Sequence, residues 1–406
     1  MQRLLNNMRL FWRMASYAAL GFFWVIVLQV FAIKMLPRLG YLAGRPIGND
    51  PPCITPECDF SAFWPAGVLA RQHAFSQIYD SVAFLAVQRH VLAASANLDA
   101  FYYPPAMLLP SVLISYLSFE LGFFVWTLGF IALAAWLLRR SGLSWPVIVA
   151  GLLSPAALWN TELGQLGVIG DAILVAGLFL AGTAPWRGGV LLGVLACKPQ
   201  IGILVPAMFA GQWNWRGLMG FAAACGVLLA LTMVFFGPAC WAAYDVAGSP
   251  HAMAVLNAPF DPRAYAGFGV SVFWMLRSLH AGLPAAYAVQ GVCTILAMLG
   301  AAYIWQRRDL ARLDQVALTV MLSLLATPYG YGDDMVAWSI LLVALAERRG
   351  WRIGMLDVLF WIWPMACQII SERTGTLFTP LVVLLALARE THEAGLLQRR
   401  KALRPA

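Results

Sequence analysis

Long apolar runs recur along this 406-residue chain, the first from Ala15 to Leu36, and they constrain the fold more than any motif does. A run of about twenty apolar residues matches the thickness of a bilayer. In hydrocarbon, backbone N–H and C=O groups find no water, so a spanning segment satisfies them internally as a helix or across a closed barrel. A barrel needs segments of about ten residues with alternating polarity, whereas the runs here are longer and continuously apolar. Only 11% of the residues are charged, against about 25% in soluble proteins. The sequence therefore predicts an all-α polytopic membrane protein.

Arg3, Arg9 and Arg13 precede the first run, and Lys34 with Pro37-Arg38 closes it. No small-residue cleavage site follows, so it reads as a retained first helix with its N-terminus in the cytoplasm. Residues 37–103 then form a long outer loop. Within it Phe60, Phe63, Trp64, Gly67 and Val68 recur at helical spacing and predict an amphipathic helix on the membrane interface, with a second over about 81–95. Spans follow at 106–118, 121–138, 145–158, 166–182, 188–208 and 217–237. A second outer loop covers 238–283, where Phe268, Val272, Met275, Leu276 and Leu279 make the stripe of a surface helix. Further spans at 284–305, 315–327, 335–346, 353–370 and 375–388 lead to a cytoplasmic tail, 389–406.

About twelve crossings result, in one membrane domain covering 1–406. Arg307, Arg308, Arg312, Arg348, Arg349, Arg352 and the tail Arg399-Arg400-Lys401 fall inside, as the positive-inside rule requires. Asp333 and Asp334 fall outside. Arg139-Arg140 is the exception, since this count leaves it outside; a re-entrant piece within 139–182 would resolve it. The net charge of +8 suits anionic lipid headgroups rather than nucleic acid. Seventeen Trp residues suit interfacial belts.

Several chemistries are set aside. The chain has no Walker loop, dinucleotide fingerprint, HExxH or CxxC pair. His73, His90, His251, His280 and His392 are far apart in sequence, so neither a metal nor a cofactor is expected. Cys197, Cys225, Cys293 and Cys367 fall in apolar spans, where Cys acts as a small hydrophobe. Cys53 and Cys58 stand in the outer loop just before Asp59; in an oxidising periplasm they are a disulfide candidate, and two separate thiols are the other reading.

Polar residues within or between spans carry the remaining signal. Lys198 lies inside an apolar run, where a charge costs roughly 3 kcal/mol. It meets either a lipid phosphate or a buried carboxylate such as Asp171. Glu162 and Gln165 mark a polar break that lines a cavity or is ordinary loop polarity. Asp333 and Asp334 follow Thr327-Pro328 at an outer end, as substrate-binding groups or a solvated turn. In Tyr102-Tyr103-Pro104-Pro105 the prolines suit a first helical turn and the aromatics suit stacking on a sugar. Lys198 and broken helices also suit a transporter or flippase of a lipid-linked or small polar substrate. A non-catalytic subunit of envelope assembly is a third reading.

The ordered set of short motifs resembles a known family. A first span is followed by Asp59-Phe60 with Trp64 and Ala66-Gly67, then Ile78-Tyr79-Asp80, then Phe101-Tyr102-Tyr103-Pro104-Pro105. Gly164-Gln165, Gly193 with Lys198-Pro199, and Thr327-Pro328 with Asp334 complete it. Over about 15–345 this is similar to glycosyltransferase family 87, the polyprenyl-phosphate-mannose-dependent mannosyltransferases of the GT-C membrane fold. The resemblance implies a GT-C-like bundle in the bacterial cytoplasmic (inner) membrane. It also implies inverting transfer of a sugar, usually mannose, from a polyprenyl phosphate to a glycan or glycolipid acceptor at the periplasmic face. The family's catalytic carboxylate carries onto Asp59. Arg71 and Lys198 become candidates for the leaving phosphate, and Asp80, Tyr102, Tyr103, Glu162, Gln165, Asp333 and Asp334 for substrate. The Cys53/Cys58 pair departs from the family pattern. Asp59 retains a bland alternative, as N-cap of the helix predicted from Phe60, worth about 1 kcal/mol against Ala.

Overall fold

The structure is a computed structural model that describes residues 2–42, 59–91, 96 and 98–396. Cys53, Cys58 and the tail Arg399-Arg400-Lys401 lie outside the described residues. The described residues are all-helical with no strand. The loop end of the molecule carries α2 (Phe60–Arg71), α3 (Phe75–Tyr79) and α4 (Ser81–Val91) after the long α1 (Gln2–Leu42). There follow α5 (Leu108–Ile114), α6 (Phe119–Arg140), α7 (Trp145–Leu152), α8 (Pro155–Leu163), α9 (Gly167–Ala181), α10 (Pro185–Gly193), α11 (Val205–Gly211) and α12 (Trp215–Phe236). A second loop region holds α13 (Pro238–Ala243), α14 (Ser249–Asn257) and α15 (Val272–Ser278). The last helices are α16 (Leu283–Gln306), α17 (Arg312–Ala326), α18 (Val336–Arg348), α19 (Met355–Thr374) and α20 (Thr379–Glu393).

Four helical segments are long and apolar enough to cross a membrane: Leu10–Leu36, Phe119–Arg140, Trp215–Phe236 and Leu283–Gln306. Three of them, in α1, α12 and α16, leave large apolar side chains such as Phe22, Val234 and Leu299 exposed. A helix apolar on all sides and unburied in the protein is suited to face lipid. The shorter α9, α17 and α18 are instead buried almost all round and form the centre of the bundle.

Two expected spans are not continuous helices. Residues 106–118 hold only a turn, Pro105–Met107, and the seven residues of α5, together about 15 Å at the helical rise, half a bilayer. Both ends of this segment return to the first turns of α2, where Tyr103 packs on Phe63 at 5.0 Å and Phe119 on Phe60 at 5.2 Å. Residues 188–208 break where Lys198-Pro199 follows the turn Val194–Cys197, because Pro199 has no N–H to donate and a fixed φ. The chain then doubles back, and the Gly211 carbonyl accepts from Gln306 Nε2 at the far end of α16 (2.9 Å).

These reversals correct the placement of Arg139-Arg140. Ser144 Oγ, just beyond them, donates to Glu347 Oε1 at 2.5 Å. They therefore sit at the same end as Arg348 and Arg349. Because the seven-residue α5 does not carry the chain to the arginine-rich end, α6 to α9 run in the opposite sense to the sequence count. The α10–α11 hairpin restores the counted sense.

The loop helices also differ from expectation. Of α2's first seven residues only Trp64 is not buried, and Leu69 and Ala70 are buried further on. It is enclosed by protein rather than floating with one polar face. Small residues permit this: a Cβ on Gly67 would lie 2.0 Å from the Ser111 carbonyl oxygen of α5. Phe60 and Phe63 anchor the helix in an aromatic cluster with Phe119, Phe123 and Trp126.

Candidate active site

Asp59 occupies the N-cap position of α2, yet its side chain makes no capping hydrogen bond. The cap comes from elsewhere. Asp99 accepts the Ser61 hydroxyl at 2.9 Å and lies close to the Ala62 N–H, which itself donates to the Asp59 carbonyl at 3.0 Å. Gln88 of α4 clamps this arrangement: its Nε2 donates to the Ser61 carbonyl (3.0 Å) and the Asp99 carbonyl (2.9 Å), and its Oε1 accepts the Asp99 N–H (3.2 Å). With the helix end already occupied, the Asp59 carboxylate turns to Gln165, whose Nε2 donates to its Oδ2 at 2.5 Å.

Gln165 is itself held from two sides. Its Oε1 accepts the Tyr103 hydroxyl (3.0 Å) and the Leu166 N–H (2.8 Å), so the amide's donor end is oriented toward Asp59. The preceding Gly164 ends α8 in the left-handed region, at φ 67°. A side chain there would meet strain and the Phe60 Cβ at 2.7 Å. The Gly164 carbonyl receives Trp126 Nε1 at 2.9 Å. Tyr79 donates to the Tyr103 carbonyl at 3.0 Å and fixes the Tyr103 backbone.

Lys198, buried, pairs with Asp334 through Nζ and Oδ1. Asp171 does not pair with it; its Oδ2 accepts the Ala337 N–H at 2.7 Å and caps α18. Asp333 and Asp334 are 2% and 8% exposed, which removes the solvated-turn reading. Asp333 Oδ1 is buried without a hydrogen-bond partner. A cavity of about 30 Å³ lined by Asp171, Gln200, Thr327 and Asp334 adjoins this pair. Asp59 does not line it.

The charges act on one another. Burial first, and then the charge of Asp99, pushes Asp59 up to about 8, while Lys198 and the Gln165 bond pull the other way. Burial pushes Asp99 up to about 7 against its bond to Ser61 and the nearby Ala62 N–H. Burial and then the neighbouring Asp334 push Asp333 well above the usual carboxylate range. A carboxylate whose basicity is raised toward neutrality is suited to accept a proton from a substrate hydroxyl.

Of the residues singled out from sequence, Asp59, Tyr103, Gln165, Lys198, Asp333 and Asp334 come together. Tyr102 stands beside them, 39% exposed and within electrostatic reach of Asp99. Arg71 does not join; it ends α2 roughly 17 Å from its start, over the Tyr116 ring. Asp80 caps α4, accepting the Ala83 N–H at 2.7 Å. Glu162 is buried and paired with Lys34 of α1 at 2.7 Å. Among the described residues no group of three or more His, Cys, Asp or Glu could hold a metal.

Sequence reasoning missed Asp99, Ser61, Gln88 and Tyr265. The last sits on the turn Tyr265–Phe268, pinned by Val270 N–H to the Gly330 carbonyl (3.0 Å). Its ring packs 3.9 Å from that of Tyr331 and is 42% exposed. It lies within electrostatic reach of Asp333, Asp59 and Tyr103. Asp99 offered one weak signal, a lone carboxylate four residues before Tyr103.

No curated protein and no solved structure is detectably similar in sequence. The sequence profile of glycosyltransferase family 87 matches residues 101–328, more than half of the chain. The match includes Tyr103, Gln165 and Lys198 and begins downstream of Asp59. Family membership makes the protein a glycosyltransferase and sets the transporter reading aside. The chain belongs to glycosyltransferase family 87.

Proposed function

We propose that this glycosyltransferase moves a sugar, mannose in our reading, from a polyprenyl-phosphate donor to an acceptor hydroxyl with inversion, and that Asp59 is its general base. The acceptor oxygen attacks the anomeric carbon, and its proton passes to the Asp59 carboxylate. The bond from the anomeric carbon to the phosphate oxygen breaks, and the polyprenyl phosphate leaves with the electron pair. An ammonium has three N–H donors, so Lys198 bonded to Asp334 retains capacity for a phosphate oxygen. Tyr265 and Tyr102 present exposed aromatic faces beside Asp59 for a sugar ring.

In this reading the loop end faces the periplasm and the arginine-rich end the cytoplasm of the bacterial inner membrane. The crossings are then α1, α6, the interrupted α7–α8 pair, α9, α12, α16, α17, α18, α19 and α20, with α5 and α10–α11 re-entrant. Arg139-Arg140 obeys the positive-inside rule in this arrangement. Glycan or glycolipid acceptors and membrane lipids are the partners.

The single observation that carries the reading is the Asp59 side chain, turned away from the helix it could cap and held by Gln165. Asp59→Asn keeps the shape and removes the proton acceptor. Transfer from a polyprenyl-phosphate sugar is expected to fall at least about 100-fold, with the melting temperature near wild type. Near wild-type transfer by this variant, with donor and acceptor shown to be competent, sinks the assignment.

A further inference from the structure

We propose that Asp99 is a positioning residue for Asp59: it takes the N-terminus of α2 that Asp59 would otherwise cap, and so leaves the Asp59 carboxylate to the acceptor. This rests on the reading of Asp59 as base and goes one step behind it.

An Asp at an N-cap position ordinarily folds its carboxylate back onto the first-turn N–H groups, and the helix dipole favours that negative charge. In α2 a carboxylate forty residues downstream occupies this end of the helix. Asp99 accepts the Ser61 hydroxyl at 2.9 Å and sits close to the Ala62 N–H, whose own acceptor is the Asp59 carbonyl. The clamp is built in: Gln88 ties the Asp99 backbone in both directions and holds the Ser61 carbonyl besides. Without Asp99, the nearest carboxylate able to cap α2 is Asp59, and capping would turn it from Gln165.

Asp99 also acts through its charge. Asp59 is faced by Asp99 from the loop before α5, by Lys198 from the α10–α11 break and by Asp333 and Asp334 from the turn before α18. Tyr103, Gln165 and Tyr265 complete its surroundings. A like charge disfavours ionisation of its neighbour, so Asp99 keeps Asp59 basic.

The two effects separate by substitution. Asn keeps an acceptor oxygen of the same reach without the charge, whereas Ala removes both. The full-length protein is compared with Asp99→Asn, Asp99→Ala and Asp59→Asn by pH profiles of kcat and kcat/KM with a polyprenyl-phosphate sugar. Asp99→Asn is expected to melt like wild type and to move the rising limb of kcat/KM down by about one pH unit. Asp99→Ala should lose kcat roughly tenfold at the alkaline plateau with an unchanged donor KM. If Asp99→Ala does not fold, the limb in Asp99→Asn decides. An unmoved limb in folded Asp99→Asn overturns the proposal and leaves Asp99 a structural contact, as does wild-type kcat in folded Asp99→Ala. Active Asp59→Asn is a different failure, that of the base itself.

Discussion

The two ends of the bundle both gather charged side chains, and they treat them oppositely. At the arginine-rich end, Arg348 bridges Asp314 and Glu390. Beside it, Arg349 pairs with Asp357 at 2.6 Å and Glu393 at 3.1 Å, and Arg389 reaches the same Asp357 at 2.9 Å. Cations and anions there are nearly matched, and the pairs tie α17, α18, α19 and α20 together. At the loop end, Asp59, Asp333 and Asp334 surround one ammonium, Lys198, and Asp99 adds a further carboxylate beside Asp59. Balanced charge closes a structure. Surplus carboxylate, buried at a cost the fold meets elsewhere, leaves groups that bind protons unusually tightly, which is what acid–base work requires.

The sharpest way to break this contrast is to remove the cation set among these carboxylates. Lys198→Met strands Asp334 in a buried site and is expected to destabilise the protein by about 3–5 kcal/mol, with transfer lost. Adding Asp334→Asn should recover much of the melting temperature and little of the transfer. Recovery of both would make the pair purely structural.

At the other end, Arg348→Gln leaves Asp314 and Glu390 buried with less compensation. A loss of roughly 1–3 kcal/mol is expected, reduced by the partial exposure of Arg348. Transfer per folded molecule should not change. A fall in kcat, measured on protein shown to be folded, would mean that the two ends are coupled.

Gln165→Glu adds a further carboxylate to the end already in surplus and replaces the donor to Asp59 with a like charge. The limb of kcat/KM should move up in pH, with transfer at pH 7 about tenfold lower and the melting temperature little altered. An unmoved limb would separate Gln165 from Asp59.

The smallest effect is on stability against pH. Asp59 and Asp99 are raised to about 8 and about 7 in the fold, above the unfolded value of about 4. The folded state therefore binds protons more tightly. Their contribution to stability is full below pH 4 and is lost as pH rises through about 7–8. Transfer, which needs the ionised base, rises over the same window. Melting curves at pH 5 and pH 9 should show this decline, and Asp59→Asn should flatten it; an equal slope in the variant would contradict the shift.

Much of this was legible in the sequence, for a physical reason. Lipid allows few places for polar groups, so Lys198, Gln165 and Asp333-Asp334 stand out against apolar runs, and Asp59 and Tyr103 stand out in the long first loop. The helical class, both loop regions and most helix positions follow from the same scarcity. What the sequence left open was decided by packing. Whether 106–118 crosses depends on Gly67 admitting Ser111 and on Tyr103 and Phe119 both returning to α2, contacts between segments distant in the chain. Those contacts, not the local hydropathy, set the parity that brings Arg139-Arg140 into line. Asp59 as cap or base was likewise undecidable locally, because Asp at that position suits either role. Only the tertiary structure brings Asp99 to the start of α2, where it bonds Ser61 and is clamped by Gln88, and leaves the Asp59 side chain on Gln165.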